Sequence, residues 1–173
     1  MNNKTVKKLM FLAMAALAVH AGITHAQEAT AEQKLTEIFR INILEGGRNS
    51  LPVDTYLALK KEGYIAKKKN SRADYTDYYL LKKPIKFLGH EVILLEDEYP
   101  SKYIGCCVSP GLGAIVKVNG NVANLNAYAK ANKCTLEDKV DVNGTLRSAG
   151  LKISGGKEHY AYLSCRERDI PVP

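Results

Sequence analysis

The sequence has no tryptophan, and its three methionines, Met1, Met10 and Met14, cluster at the start. It contains no CxxC pair, which excludes the usual active site of a thiol oxidoreductase and the chelating spacing of most structural zinc sites. There is no GxSxG elbow to present a nucleophilic serine, no GxGxxG, and no phosphate loop ending in lysine followed by serine or threonine. Internal repeats and low-complexity linkers are also lacking. Beyond residue 26 only two histidines remain, His90 and His159, and no apolar run approaches the length that spans a bilayer. The familiar signatures of catalysis are therefore missing, and the informative features concern compartment, shape and surface charge.

The first of these features is a leader. MNNKTVKK supplies a basic head, LMFLAMAALAVHAGI an apolar stretch, and THAQEA an exit of small residues. That order predicts a cleavable secretory signal over residues 1–26, cut after Ala26, with Ala18 and Ala21 as weaker positions. The run Leu9 to Ile23 is short for a membrane anchor. No cysteine stands at the exit, which argues against a lipid-modified product. Cleavage removes Lys4, Lys7 and Lys8, so part of the formal +7 charge is targeting chemistry. The expected location of the product is periplasmic or secreted.

From Gln27 onward the pattern predicts one α+β domain over 27–173, with short N-terminal helices followed by a mainly antiparallel sheet and one packed helix. Residues 27–83 are expected to be mainly helical and 84–173 sheet-rich. A first helix is predicted through LTEIFRINIL to Gly46-Gly47. A second starts near Pro52 and stops at Gly63, with Val53, Tyr56 and Leu57 on one face. A third is predicted from SRAD, which has the shape of a capping box, through DYYLLKK to Pro84. After Pro84, IKFLGHEVILLEDEY predicts a strand with Gly89 as a bend or bulge. YIGCCV and GAIVKV follow as strands around a Ser-Pro-Gly-Leu-Gly turn. NVANLNAYAKAN carries a helical stripe of Val122, Leu125 and Ala129. Asn143-Gly144 predicts a hairpin, and HYAYLSC a terminal strand.

Four cysteines remain in the exported product: Cys106, Cys107, Cys134 and Cys165. In an oxidising compartment an even set predicts a disulfide framework. A bond between Cys106 and Cys107 would close a strained ring across one peptide unit. The expected arrangement therefore ties the 106/107 pair to Cys134 and Cys165, one apiece. Adjacent cysteines chelate metal poorly and have no evident activating base, so neither a metal nor a cofactor is expected.

Two functional classes emerge. The favoured one is an exported, noncatalytic binding or accessory protein acting on another envelope or extracellular protein, as an inhibitor, assembly partner or virulence-associated factor. Its expected contact residues are Lys67, Lys68, Lys69 and Arg72 with Tyr75 and Tyr78: the cations provide long-range attraction and the tyrosines rigid contact area. An anionic surface would suit the same cations. LALKKEGYIAKKKNSR also has the outline of a recognition helix running into a wing, but export separates it from DNA, so no nucleic-acid partner is expected. The second class is a small envelope hydrolase in which His90 or His159 converges with Asp97 or Glu98. The competing expectation for Glu96-Asp97-Glu98 is a charged strand end kept in solvent.

Overall fold

In the computed structural model the first helix begins where a threonine and a glutamine satisfy each other's backbone. The Gln33 amide donates to the Thr30 hydroxyl at 3.2 Å, and the Thr30 amide donates to the Gln33 side chain at 2.8 Å. This capping box opens α1 (Ala31–Phe39), which buries Ala31, Leu35, Ile38 and Phe39. The structure describes residues 29–42, 47–48, 52–98, 111–153 and 158–166. The predicted leader and the YIGCCV strand with Cys106 and Cys107 lie outside the described residues.

α1 ends earlier than Gly46-Gly47 because the chain turns into β1 (Ile41–Asn42), which pairs antiparallel with β2 (Gly47–Arg48). α2 (Pro52–Lys61) has the expected ends, with Gly63 at φ +77° two residues beyond. Its buried face differs from the predicted stripe. Thr55, Tyr56 and Leu59 turn inward, while Val53 and Leu57 are 56% and 57% exposed. Tyr56 sets this rotation, since its ring packs 5.0 Å from that of Tyr79 and its hydroxyl donates to the Glu96 carbonyl at 3.3 Å.

The third predicted helix is instead a hairpin of β3 (Ser71–Ala73) and β4 (Thr76–Phe87), joined by Asp74-Tyr75 with Asp74 at φ +48°. Tyr75, Thr76, Tyr78 and Tyr79 favour extended backbone. Alternation then places Thr76, Tyr78 and Leu80 on one face, and Asp77, Tyr79 and Leu81 on the other. Ser71 caps nothing; its hydroxyl donates to the Ala149 carbonyl. Leu88 and Gly89, both at positive φ, form a two-residue turn into β5 (His90–Glu98), so the long apolar run is two strands instead of one bent strand.

The remaining elements are β6 (Gly111–Lys117), α3 (Ala123–Ala131), β7 (Thr135–Asp138), α4 (Val142–Thr145) and β8 (Tyr160–Arg166). Together β3 to β8 make a six-stranded antiparallel sheet in the order β3-β4-β5-β6-β8-β7. The fold is thus mixed α+β, with N-terminal helices, a six-stranded antiparallel sheet beside the small β1-β2 pair, and a packed later helix.

One sheet face is buried against α1, α2 and α3. Phe87 on β4 contacts Phe39 of α1 at 5.6 Å and meets Tyr128 of α3 edge-on at 5.2 Å; the Tyr128 hydroxyl donates to the Thr36 carbonyl at 2.7 Å. On the other face Leu94, Ile115 and Tyr160 pack with Val140, Val142 and Leu146. Val142 and Leu146 explain why Asn143-Gly144 is not a hairpin: at helical spacing both reach this second core, and the Asn143 side chain accepts from the Ile153 amide at 3.0 Å.

The cysteine framework also departs from the expectation. Cys134 and Cys165 are bonded to each other, not to the 106/107 pair. The cause is strand adjacency: Thr135 sits opposite Ser164, so the residues just outside that pair stand across from one another, with Cα atoms 4.3 Å apart. The bond fastens the end of the α3 segment to the last strand.

Candidate functional site

The predicted basic surface is built on a sheet edge. Residues 64–70 run beside β4: the Lys82 amide donates to the Tyr64 carbonyl at 2.7 Å, the Asn70 amide to the Tyr78 carbonyl at 2.8 Å, and the Leu80 amide to the Asn70 side chain at 2.8 Å. With the backbone tied down in this way, Lys67, Lys68 and Lys69 are all exposed. Lys69 and exposed Arg72 converge on Asp77, at 2.9 and 2.5 Å from the same carboxylate oxygen. Among the described residues Lys67 and Lys68 form no ion pair. Against the four cations Lys67, Lys68, Lys69 and Arg72 stand two carboxylates, Asp77 and the exposed Asp74 of the turn, which leaves surplus positive charge on this edge.

The tyrosines divide. Tyr75 is 39% exposed in the turn at the end of the edge. Tyr78 instead lies half-buried against the second core, where burial and then the Glu96 carboxylate push its phenol pKa up. Tyr79 faces α2, with the Lys60 ammonium 4.9 Å from its ring centre. Lys67, Lys68, Lys69, Arg72 and Tyr75 therefore share one edge, and Tyr78 is withdrawn from it.

The acidic run is not a solvated strand end. Glu96 and Glu98 are buried on the second face of the sheet, where Arg166 of β8, 1% exposed, bridges them. Its Nε donates to Glu98 and its Nη2 to Glu96, both at 2.6 Å; Nη1 donates to the Tyr162 hydroxyl at 2.8 Å and to Ser164 at 2.7 Å. The Tyr162 hydroxyl in turn donates to Glu96 at 2.7 Å. Burial and the Glu96 charge push that phenol well above the ordinary tyrosine range, so it stays a neutral donor. For Arg166, burial opposes the charge, but the Tyr162 oxygen and both carboxylates outweigh it and hold the guanidinium protonated.

Two glycines between these residues make room for the bridge. Gly113 lies between Glu96 and Ser164, and a Cβ there would come 2.6 Å from the Glu96 carboxylate. At Gly111, opposite Arg166, it would come 2.3 Å from the Arg166 Cα. These glycines serve strand packing, not the turn expected for them. With Nε and both terminal nitrogens committed inside, the guanidinium braces β5 to β8 and offers no open anion site.

The histidines do not meet these carboxylates. His90 and Glu98 are the first and last residues of β5, roughly 26 Å apart at strand rise. His90 is buried, and its Nδ1 accepts from the Asn119 amide at 3.1 Å. Burial, then His159 and Lys86, lower its pKa, so its ring is neutral at neutral pH. His159 lies just before β8, at the opposite end from Arg166, and contacts Asp138 at 2.5 Å beside an open cleft of about 330 Å³. That hydrogen bond holds the Asp138 carboxyl below the usual range. The convergence a hydrolase would require does not form among the described residues.

Arg166, Tyr162 and Ser164 were not expected as a unit. A signal was present: Glu96/Glu98, Gly111/Gly113 and Ser164/Arg166 each repeat at the two-residue period that puts side chains on one strand face. Among the described residues, no group of three or more metal-ligating side chains is placed to hold an ion, and no helix is long and apolar enough to cross a membrane. No protein-family model, curated protein or solved structure matches the chain.

Proposed function

We propose that this chain is an exported, noncatalytic binding or accessory protein, periplasmic or secreted, that meets an acidic surface of an envelope or extracellular protein with its basic sheet edge. Inhibition, assembly or a virulence-associated role all fit that description. The observation that carries the reading is the charge surplus at Lys67, Lys68, Lys69 and Arg72, fixed on a backbone-paired edge with Tyr75 at its end. Exposed like charges on a rigid edge attract an acidic partner from a distance, and a tyrosine adds contact area at little entropic cost.

Edge lysines also discourage strand-to-strand aggregation. The two roles separate by experiment. Envelope extract is passed over the oxidised 27–173 chain and over its Lys67→Glu/Lys68→Glu variant, at low and at high salt. The binding role predicts a partner retained by the first, lost from the variant, and released by salt. Retention unchanged by both charge reversal and salt would refute this surface.

A further inference from the structure

A second site lies where β4 and β5 fall out of register. Leu80 pairs with Leu94, but the next pair is Ile85 with Val92, so residues 81–84 stand against Ile93 alone. The excess backbone leaves the ladder. A cleft of about 420 Å³ opens between this bulge and the segment after α4. Its apolar wall comprises Leu80, Pro84 and Ile93 from the sheet and Ile153 from the facing segment.

The charges around the cleft are unequal. Lys82 and Lys152 line it, both exposed, and neither makes an ion pair or side-chain hydrogen bond among the described residues. Lys83 is committed elsewhere, donating to the Glu62 carbonyl at 2.8 Å and lying over the Tyr64 ring. Among the described residues Glu91 is the one carboxylate in the lining, and it stands in register with Lys86 on β4 and Lys117 on β6. Lys117 is itself 2.6 Å from Glu158, so the lining sets the two lysines, Lys82 and Lys152, against the single charge of Glu91.

The geometry points to a binding site for a small amphiphile with one anionic head, its hydrocarbon against Leu80, Ile93 and Ile153 and its carboxylate or phosphate between Lys82 and Lys152. The volume suits such a ligand, and ligand sites commonly combine an apolar wall with a few placed charges. This site adjoins the basic edge through Leu80 and Lys82 but uses different cations, and it does not depend on the proposed partner.

The test is an amide-resolved NMR titration of the oxidised 27–173 chain with decanoate and with decyl phosphate, each below its micelle concentration, and with decyltrimethylammonium as the charge-reversed control. Saturable one-to-one shifts at residues 80–83, 93, 152 and 153 are expected with one or both anions, and the tighter of the two identifies the head group. The cationic amphiphile should produce none. Lys82→Glu/Lys152→Glu, or the milder Lys82→Ala/Lys152→Ala, should weaken binding by roughly tenfold or more, as expected for losing charge-assisted hydrogen bonds. Lys67→Glu/Lys68→Glu should leave it unchanged. The site is overturned if neither anion gives saturable shifts, if the cation binds equally well, or if the Lys82/Lys152 variants bind as the parent does.

Discussion

Replacing Arg166 with methionine removes the guanidinium while keeping most of the side-chain volume. Glu96 and Glu98, 3% and 7% exposed, then lose the two 2.6 Å charge-assisted bonds that make their burial tolerable, and Tyr162 and Ser164 lose an Arg166 contact each. Breaking a buried ion pair from one side costs about 3–5 kcal/mol, because the partner charge is stranded. Against the roughly 5–15 kcal/mol that holds an ordinary domain together, this is a large fraction. It corresponds to about 10–15 °C in Tm for a domain near 150 residues. Urea denaturation of the oxidised proteins, followed by circular dichroism, measures it as a fall in midpoint at unchanged slope. The triple variant Glu96→Gln/Glu98→Gln/Arg166→Met removes the stranded charges and should recover much of the loss. A single variant within about 1 kcal/mol of the parent, or a triple variant no more stable than the single, would refute the bridge as the brace of β5 to β8.

Further expectations follow from other contacts. Gly113→Ala drives a Cβ to 2.6 Å from the Glu96 carboxylate and should cost about 1–3 kcal/mol by the same denaturation assay, whereas Leu57→Ser, on the exposed face of α2, should stay within about 0.5 kcal/mol. Reducing Cys134–Cys165, which spans a sequence separation of 31, should lower stability by about 3.7 kcal/mol on the chain-entropy estimate, read as the midpoint difference with and without reductant. His90 has a depressed pKa in the folded protein, so below the unfolded value of about 6.5 the unfolded chain takes up the proton first. Stability should therefore fall as pH drops from 7 toward the folded pKa, and His90→Asn, which keeps an acceptor for the Asn119 amide, should flatten that slope in denaturation curves taken across the range. Asp138 should titrate below the usual carboxylate range by NMR and move up in His159→Asn; no upward move would remove the hydrogen bond as the cause.

The parts of the fold legible in the sequence were those with unambiguous local punctuation. Pro52 and Gly63 bracket α2, Leu125 and Ala129 mark α3, and HYAYLSC alternates as β8 does. The hairpin at 71–87 is ambiguous in the sequence because Tyr75, Tyr78 and Tyr79 satisfy helical spacing as well as alternation. Ser71 to Asp74 added a capping shape whose hydroxyl the tertiary structure uses elsewhere. The disulfide pairing depends on β7, whose four residues, with Leu136 as the one apolar side chain, carry little pattern of their own; pairing with β8 makes them a strand. The Arg166 bridge was hidden for the same reason. Glu96, Gly113 and Ser164 are far apart along the chain and become one row only when β5, β6 and β8 align. For the basic edge, the sequence located the cations, but only the structure separates Tyr75 at its end from Tyr78 on the opposite face.

The most direct test of the binding role places a photo-crosslinking amino acid at position 68 on the basic edge and, separately, at exposed position 147 beyond α4. The oxidised proteins are then irradiated in envelope extract at low and high salt. The expected result is a discrete adduct from position 68 that weakens with salt, with no such adduct from position 147. Identical adducts from both positions, or none from position 68, would contradict a partner seated on the Lys67–Arg72 edge.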